Sequence, residues 1–299
     1  VALRVTPGMM HGNLMRNVTH NLNRMENQQN MLSTGRKLNK PSDDPVGITY
    51  SLRYRSELSM NEQYEKNVTT AKAQLEHTDS VLGQLNDIVQ RAQELVTQAL
   101  NDTNPQTALD AIAIEVDQLY EQAVMIGNDS MNGKFLFNGQ MTNVKPYDIA
   151  VADTQDTDTE KTLITLSAGI SVPLNVTGGE VFGISAETDN LFKVLKDIKN
   201  ALTPTSNKTD LAAAYAKLNS RFDKVLNIRS EIGARTNRVD LIDTRLQDLT
   251  LNLNSLQGET EDADMAETIM KFTQEQSVYQ ASLSTGAKII QPSLIDFLR

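Results

Sequence analysis

The sequence predicts a mainly α protein: an elongated antiparallel helical bundle or coiled coil formed by both chain halves, with a small β-rich tip domain inserted in the middle. Three observations carry this. Apolar residues recur every seven positions over long stretches of both halves. The segment between them switches to the alternation of strands. Aromatic residues make up only 5% of the 299 residues and Trp is absent, which argues against a thick globular core.

Near the start, Val18, Leu22, Met25, Gln29 and Leu32 keep a 4-3-4-3 spacing, one face of a helix. They stand among Asn13, Asn17, Asn21, Asn23, Asn27 and Asn30, whose side chains compete for the backbone. This segment is expected to become helical only on meeting a partner, with Met9, Met10 and Met15 packed in the same terminal coiled coil. A long helix follows Pro45. Its seam is the row Val68, Leu75, Leu82, Val89, Val96 with the companion row Ala71, Thr78, Leu85, Ala92, Ala99, and it stops before Pro105. At 1.5 Å per residue such a helix spans about 80 Å. Leu109, Val116 and Ala123 with Ile112, Leu119 and Ile126 mark a shorter helix ending at Gly127-Asn128.

The middle reads differently. Lys134–Gly139 reads as a strand entering a turn, and 162–166 and 170–176 alternate with period two. Pro173 suggests an edge strand. Gly178-Gly179 reads as a turn, since no Lys-Ser/Thr and no helix start follow it, and the acidic run 153–160 reads as a solvated loop without the pattern of a calcium site. Leu191, Leu195, Ile198 and Leu202 form a short amphipathic helix before Pro204.

The C-terminal half repeats the long seam with Leu218, Val225, Ile232, Val239, Leu246 and Leu253. Ile228, Ile242, Leu249 and Leu256 fill its companion row, interrupted by Arg221 and Arg235, and Gly258 ends the run. Asp264 to Glu267 has the form of a capping box for a last helix. That helix carries Ile269, Gln276, Leu283, Ile290 and Phe297 at sevens, with Met265, Phe272 and Tyr279 beside them, and apolar residues continue through Leu294. Long helices cannot bury such seams alone. The expected division is 1–34 with 263–299 as a terminal coiled-coil assembly domain. Residues 35–147 with 186–262 form a helical rod domain with connecting turns, and 148–185 form the β-rich tip.

Composition removes most chemistry. Lys and Arg number 28 against 38 Asp and Glu, a net charge of −10, so neither nucleic acid nor membrane is an expected partner. Residues 73–187 carry 4 basic and 17 acidic side chains, read as a solubilising surface. Cys is absent and His11, His20 and His77 are the three histidines. No catalytic residue, cofactor or metal ligand is assigned, and no enzyme activity is expected. Ser42-Asp43-Asp44 has no supporting base and is read as helix capping and turn contacts. Arg53 and Arg55 are read either as intermolecular contacts or as exposed helix charge. His77 is read as a partly packed side chain. The first residues lack the basic and apolar regions of a secretory signal.

Leu32-Ser-Thr-Gly-Arg-Lys-Leu-Asn-Lys-Pro-Ser-Asp-Asp-Pro-Val-Gly47 resembles the signature after the first helix of the flagellin superfamily, and Ile228–Arg238 with 262–298 resembles its C-terminal signature. Lys40–Gly47 followed by 53–58, Gly133–Gly139 with 145–147, and Gly179–Gly183 leading to 190–195 are similar to the branch found at the hook–filament junction. The resemblance implies a secreted structural protein of the bacterial flagellum, exported through the flagellar channel without a cleaved signal and assembled outside the cell. Its implied partners are hook-associated protein 1, flagellin, neighbouring copies of itself, and an export chaperone on the C-terminal helix. A filament-forming flagellin is the alternative. Expected assembly contacts are Val18, Leu22, Met25, Leu32, Ile269, Phe272, Tyr279, Leu283, Ile290, Leu294 and Phe297. The turn signature is Gly35, Asn39, Pro41, Ser42, Asp43, Asp44 and Pro45.

Overall fold

The computed structural model describes residues 7–101, 104–203 and 208–290. In chain order it contains α1 (Pro7–Thr34), α2 (Pro45–Ala99), α3 (Gln106–Gly127), β1 (Ser130–Met131) and β2 (Lys134–Phe135). A single 3-10 turn (Ala152–Thr154), β3 (Leu163–Ser167), β4 (Ile170–Pro173), α4 (Gly178–Val181), α5 (Leu191–Ala201), α6 (Lys208–Glu261) and α7 (Met265–Ile290) follow. The fold is mainly α, with two small antiparallel hairpins. The described residues fall into two compact units, one from Val1–Met60 with Leu249–Arg299 and one from Asn61–Asp248. The division falls inside α2 and α6, so both helices contribute to both units.

In the second unit α2 and α6 run antiparallel, because their cross-links descend on one as they ascend on the other. The Asn61 amide donates to the Leu246 carbonyl at 2.8 Å, Lys72 meets Asp240 at 2.7 Å, Arg229 meets Asp79 at 3.0 Å, and Gln93 donates to Asn219 at 2.7 Å. Between them Leu75, Leu82, Val89 and Val96 on α2 and Leu218, Val225, Ile232 and Val239 on α6 are buried, as the heptads predict.

α3 and α5 add a second layer through Ile112, Val116, Leu119 and Ala123 on one side and Leu191, Leu195 and Ile198 on the other. Beside them sits an aromatic nest. Phe182 stacks on Phe192 with ring centres 5.0 Å apart, Tyr147 lies 4.8 Å from Phe192, and Phe137 meets Phe182 edge-on at 5.4 Å. Burial pushes the Tyr147 hydroxyl well above its ordinary range.

That nest depends on Gly178. A Cβ there would stand 2.3 Å from the Tyr147 hydroxyl and 2.8 Å from Thr157. Gly178→Ala is therefore expected to cost about 2 kcal/mol by overpacking. Circular dichroism melting reads this as a fall of about 6 °C, and an unchanged melt contradicts the close fit.

The middle segment departs from its sequence reading in two places. Lys134–Gly139 is a strand only at Lys134–Phe135, because Leu136 and Phe137 turn inward to the core. Gly178-Gly179 is the first turn of α4, not a free turn. Thr177 and Glu180 close a reciprocal capping box there, the Thr177 side chain accepting from the Glu180 amide and Glu180 accepting from the Thr177 amide.

The two arginines that break the heptads of α6 clamp this insertion. Arg221 is 1% exposed. Its guanidinium donates to the carbonyl of Asp189 at 2.9 Å, to that of Glu180 at 3.2 Å and to the Asp189 carboxylate at 2.9 Å, and it also pairs with Glu187. Burial raises the Asp189 carboxyl, but hydrogen bonding from Lys224 and the charges of Arg221 and Lys224 outweigh it and hold the group below its usual range. Arg235 reaches the carbonyls of Pro173 and Asn175 at 3.3 and 3.4 Å.

Candidate functional site

The first unit has almost no core. Of the buried apolar side chains among the described residues, Leu253 alone lies in it, whereas sixteen large apolar side chains there are exposed. A unit with that balance cannot offset its own conformational entropy by burial within itself.

Its most densely hydrogen-bonded feature is the joint where α1 passes to α2 and α6 passes to α7. α1 ends at Gly35, whose φ of +70° suits a residue without a Cβ and whose amide donates to the Met31 carbonyl at 2.8 Å. Asp43 then holds the turn by accepting from the amides of Asn39 at 3.0 Å and Lys40 at 2.8 Å. The Asn39 side chain donates to the Arg36 carbonyl at 2.9 Å. Asp44 caps α2 by accepting from the Val46 amide at 3.0 Å, with Pro45 at the first helical position. Pro41 and Ser42 stand exposed in the turn between them.

On the other strand of the joint Asp264 accepts from the amides of Ala266 and Glu267 at 2.9 and 3.1 Å and starts α7. The two turns are tied directly. Lys37 donates its amide to the Glu261 carbonyl at 2.7 Å, and the Ala263 amide donates to the Gly35 carbonyl at 3.0 Å.

At the centre is Glu261, which the sequence did not single out. Its side chain is 1% exposed. Arg55 bonds both carboxylate oxygens at 2.9 and 2.5 Å, the Ser51 hydroxyl donates to it, and Arg36 lies at 3.4 Å. Arg55 is an exposed helix charge that is nonetheless paired across the joint with Glu261, while Arg53 pairs with Glu57 on its own helix at 2.8 Å. Burial alone would raise the Glu261 carboxyl. The hydrogen bonds from Arg55 and Ser51 and the Arg55 charge outweigh it and bring the group down to about 2.

A depressed carboxyl stabilises the fold above its unfolded value, and that stabilisation disappears as pH falls through the folded value. Glu261→Gln is expected to lower stability by up to about 3 kcal/mol at pH 7, with the gap closing between about pH 4.5 and 2. Amide exchange around 35–38 and 261–264 measures it. A gap that does not change with pH would show that the charge is not what holds the joint.

Beyond the joint, α1 and α7 form an antiparallel pair. Asn21 donates to Ser282 at 3.0 Å, Arg24 meets Glu275 at 3.1 Å, and Gly286 faces Leu14, whose side chain would lie 2.8 Å from an added Cβ. The covered stripe on α1 is Leu14, Val18, Asn21, Met25, Gln28 and Leu32, and on α7 it is Thr268, Phe272, Glu275, Tyr279, Ser282 and Gly286. Much of it is polar.

The apolar stripes coincide with this contact only in part. At about 100° per residue, Met15 and Leu22 lie to one side of the α1 stripe. Met265, Ile269 and Leu283 lie in the same rotational sense from the α7 stripe. Equal rotations on antiparallel helices bring both overhangs to one side of the pair. The polar residues Arg24, Glu275 and Ser282 fall on the other side, as their contacts require. Leu22 is 42%, Ile269 52% and Leu283 47% exposed.

The expected contact residues therefore divide. Val18, Met25, Leu32, Phe272 and Tyr279 are half-buried in the pair, and Leu22, Ile269 and Leu283 stand open beside them. The side chain of Ile290, and the whole of Leu294 and Phe297, lie outside the described residues. Met9, Met10 and Met15 are exposed, not packed as expected; among the described residues the α1 contact begins at Leu14.

Comparison with known proteins bears on this arrangement. Residues 6–142 match the bacterial flagellin N-terminal helical region, and residues 215–298 match the bacterial flagellin C-terminal helical region. Flagellar hook-associated protein 3 of Escherichia coli K12 is 27% identical over 94% of this chain and 95% of its own length. Flagellin of Bacillus subtilis is 28% identical over 90% and 91%. The crystal structure of flagellar hook-associated protein 3 from Legionella pneumophila shares the fold, with a TM-score of 0.60 at 14% identity over 68% of this chain and 96% of that one.

Proposed function

Because this chain belongs to the bacterial flagellin family, carrying both its terminal helical regions, we propose that it is a structural adaptor of the flagellum. It joins the hook side to the flagellin filament and assembles through its terminal helices after export. One observation carries the assembly mechanism: among its described residues the unit has sixteen exposed large apolar side chains and Leu253 as its buried one. Such a surface is stable once neighbouring subunits cover it. Head-to-tail covering by copies of the same chain generates a ring or a helical stack.

The open side of the α1–α7 pair supplies the apolar contact, and Val18, Met25, Phe272 and Tyr279 become fully buried with it. The joint around Glu261 sets the direction in which that pair leaves α2 and α6. Its neighbours are copies of itself, hook-associated protein 1 on one side and flagellin on the other. An export chaperone covers the C-terminal helix beforehand. The protein acts outside the cell in the flagellum, and its role is structural, not enzymatic. Among the described residues no helix is long and apolar enough to cross a membrane.

The second reading is a filament subunit, supported by the flagellin relative of almost equal identity. Electron microscopy after salting-out with sulfate, which strengthens apolar burial, separates the two. Binding at the end of filament seeds, with only short stacks from the protein alone, supports the adaptor. Long filaments from the protein alone make it a filament subunit.

A further inference from the structure

The chain contains two Asn-Gly steps, Asn132-Gly133 and Asn138-Gly139. We propose that Asn132 is a site of spontaneous self-modification, cyclising with Gly133 and opening to aspartate and isoaspartate, and that Asn138 is not. In the reaction the Gly133 amide nitrogen attacks the Asn132 side-chain carbonyl carbon and ammonia leaves, forming a five-membered succinimide. Water then adds to either ring carbonyl and opens the ring. No oxidant or cofactor is required. An unbranched following residue favours the step, since glycine puts no side chain in the path of ring closure.

The fold treats the two sites oppositely. Asn132 and Gly133 form the two-residue turn between β1 and β2, with φ of +54° and +76°. Asn132 is exposed, its side chain makes no hydrogen bond among the described residues, and nothing lies within 4 Å of where a Cβ on Gly133 would stand. The hairpin that holds this turn has only the pairs Ser130–Phe135 and Met131–Lys134, so local opening is easy.

Asn138 is 5% exposed. Its amide donates to the carbonyls of Met141 at 3.2 Å and Val144 at 3.0 Å, and its oxygen accepts from the Asp158 amide at 3.2 Å. A Cβ on Gly139 would lie 2.6 Å from the Asp158 carbonyl. The side chain is held in place and the space above the peptide is filled.

The consequence is local and chemical. The product carries a new negative charge beside Lys134. In its isoaspartate form the backbone gains a methylene that a two-residue turn cannot absorb without losing the Met131–Lys134 pairing. A protein carboxyl methyltransferase acting on isoaspartate would take that product as substrate.

The test is peptide mass mapping of the intact folded protein held at pH 8 and 37 °C. Cleavage after Lys134 puts the two sites in different peptides. The expected result is a mass gain of about one dalton at Asn132, at least about tenfold ahead of Asn138, since freeing the Asn138 side chain breaks its hydrogen bonds to Met141, Val144 and Asp158, and two bonds of about 1 kcal/mol each already change an open population by more than that factor. In urea the two sites should react alike. Equal rates in the folded protein, a faster Asn138, or no reaction at Asn132 would each overturn the proposal.

Discussion

Leu22→Glu combined with Leu283→Glu is expected to remove the protein from flagella while leaving its thermal unfolding unchanged. Both side chains stand on the open side of the α1–α7 pair, 42% and 47% exposed. In the free chain a carboxylate there meets water and costs little. In the assembled state it would be desolvated against a neighbour's apolar stripe, with no partner in place. Each lost apolar contact removes about 1.5–3 kcal/mol of burial, and an unpaired buried carboxylate adds several more. The combined loss is thousands-fold or more in association. Immunoblots of sheared flagella, alongside melting curves of the purified protein, measure it. Normal incorporation would show that assembly uses another surface. The alanine pair should give a partial defect, because it removes area without adding charge.

The second large effect concerns folding of the other unit. Arg221→Met is expected to destabilise it by about 3–5 kcal/mol, a fall in melting temperature of about 10 °C. The guanidinium is buried and ties α6 to the carbonyls of Asp189 and Glu180 and to two carboxylates. Methionine fills part of the volume but leaves Asp189 with only Lys224 and Ser220. Arg221→Lys should fall between, since an ammonium keeps the charge but cannot make the forked contacts. A melt within a degree or two of the parent would mean that the aromatic nest, not the arginine, holds the insertion to α6.

Arg221 also shows where sequence reading stops. The heptads flagged it as a break in the α6 seam, and the same is true of Arg235. The partners they reach in the middle segment lie tens of residues away, beyond the reach of a seven-residue repeat, so the pattern registers an interruption and not its purpose. Glu261 is the stronger case. It sits three residues past Gly258, where the seam is expected to end. Its partners Ser51, Arg55 and Arg36 are more than two hundred positions distant. A charged residue's burial depends wholly on what the fold brings to it, and one sequence holds no record of that.

The turn from Gly35 to Pro45 was legible for the opposite reason. Capping and turn bonds span two to four residues, so the chemistry is local. The long seams were legible because a helix repeats its face at fixed intervals. Leu249 and Leu256 mark the limit of that argument. They continue the companion row, yet they are 44% and 43% exposed while Leu253 beside them is buried. Periodicity identifies an apolar face; it does not say whether a neighbour in the same chain covers it.

The sequence by itself determined that this chain is helical at both ends and strand-bearing in its middle, where its helices cap and turn, and which family it resembles. All of these follow from interactions a few residues long or from a repeat. Only the tertiary structure decided that Glu261 and Arg221 are buried and paired. It alone decided that the α1–α7 contact runs along a stripe of mixed polar and apolar residues, and that Leu22, Ile269 and Leu283 open to the same side of it. Those are outcomes of which surfaces meet across hundreds of residues, and burial is a property of the meeting.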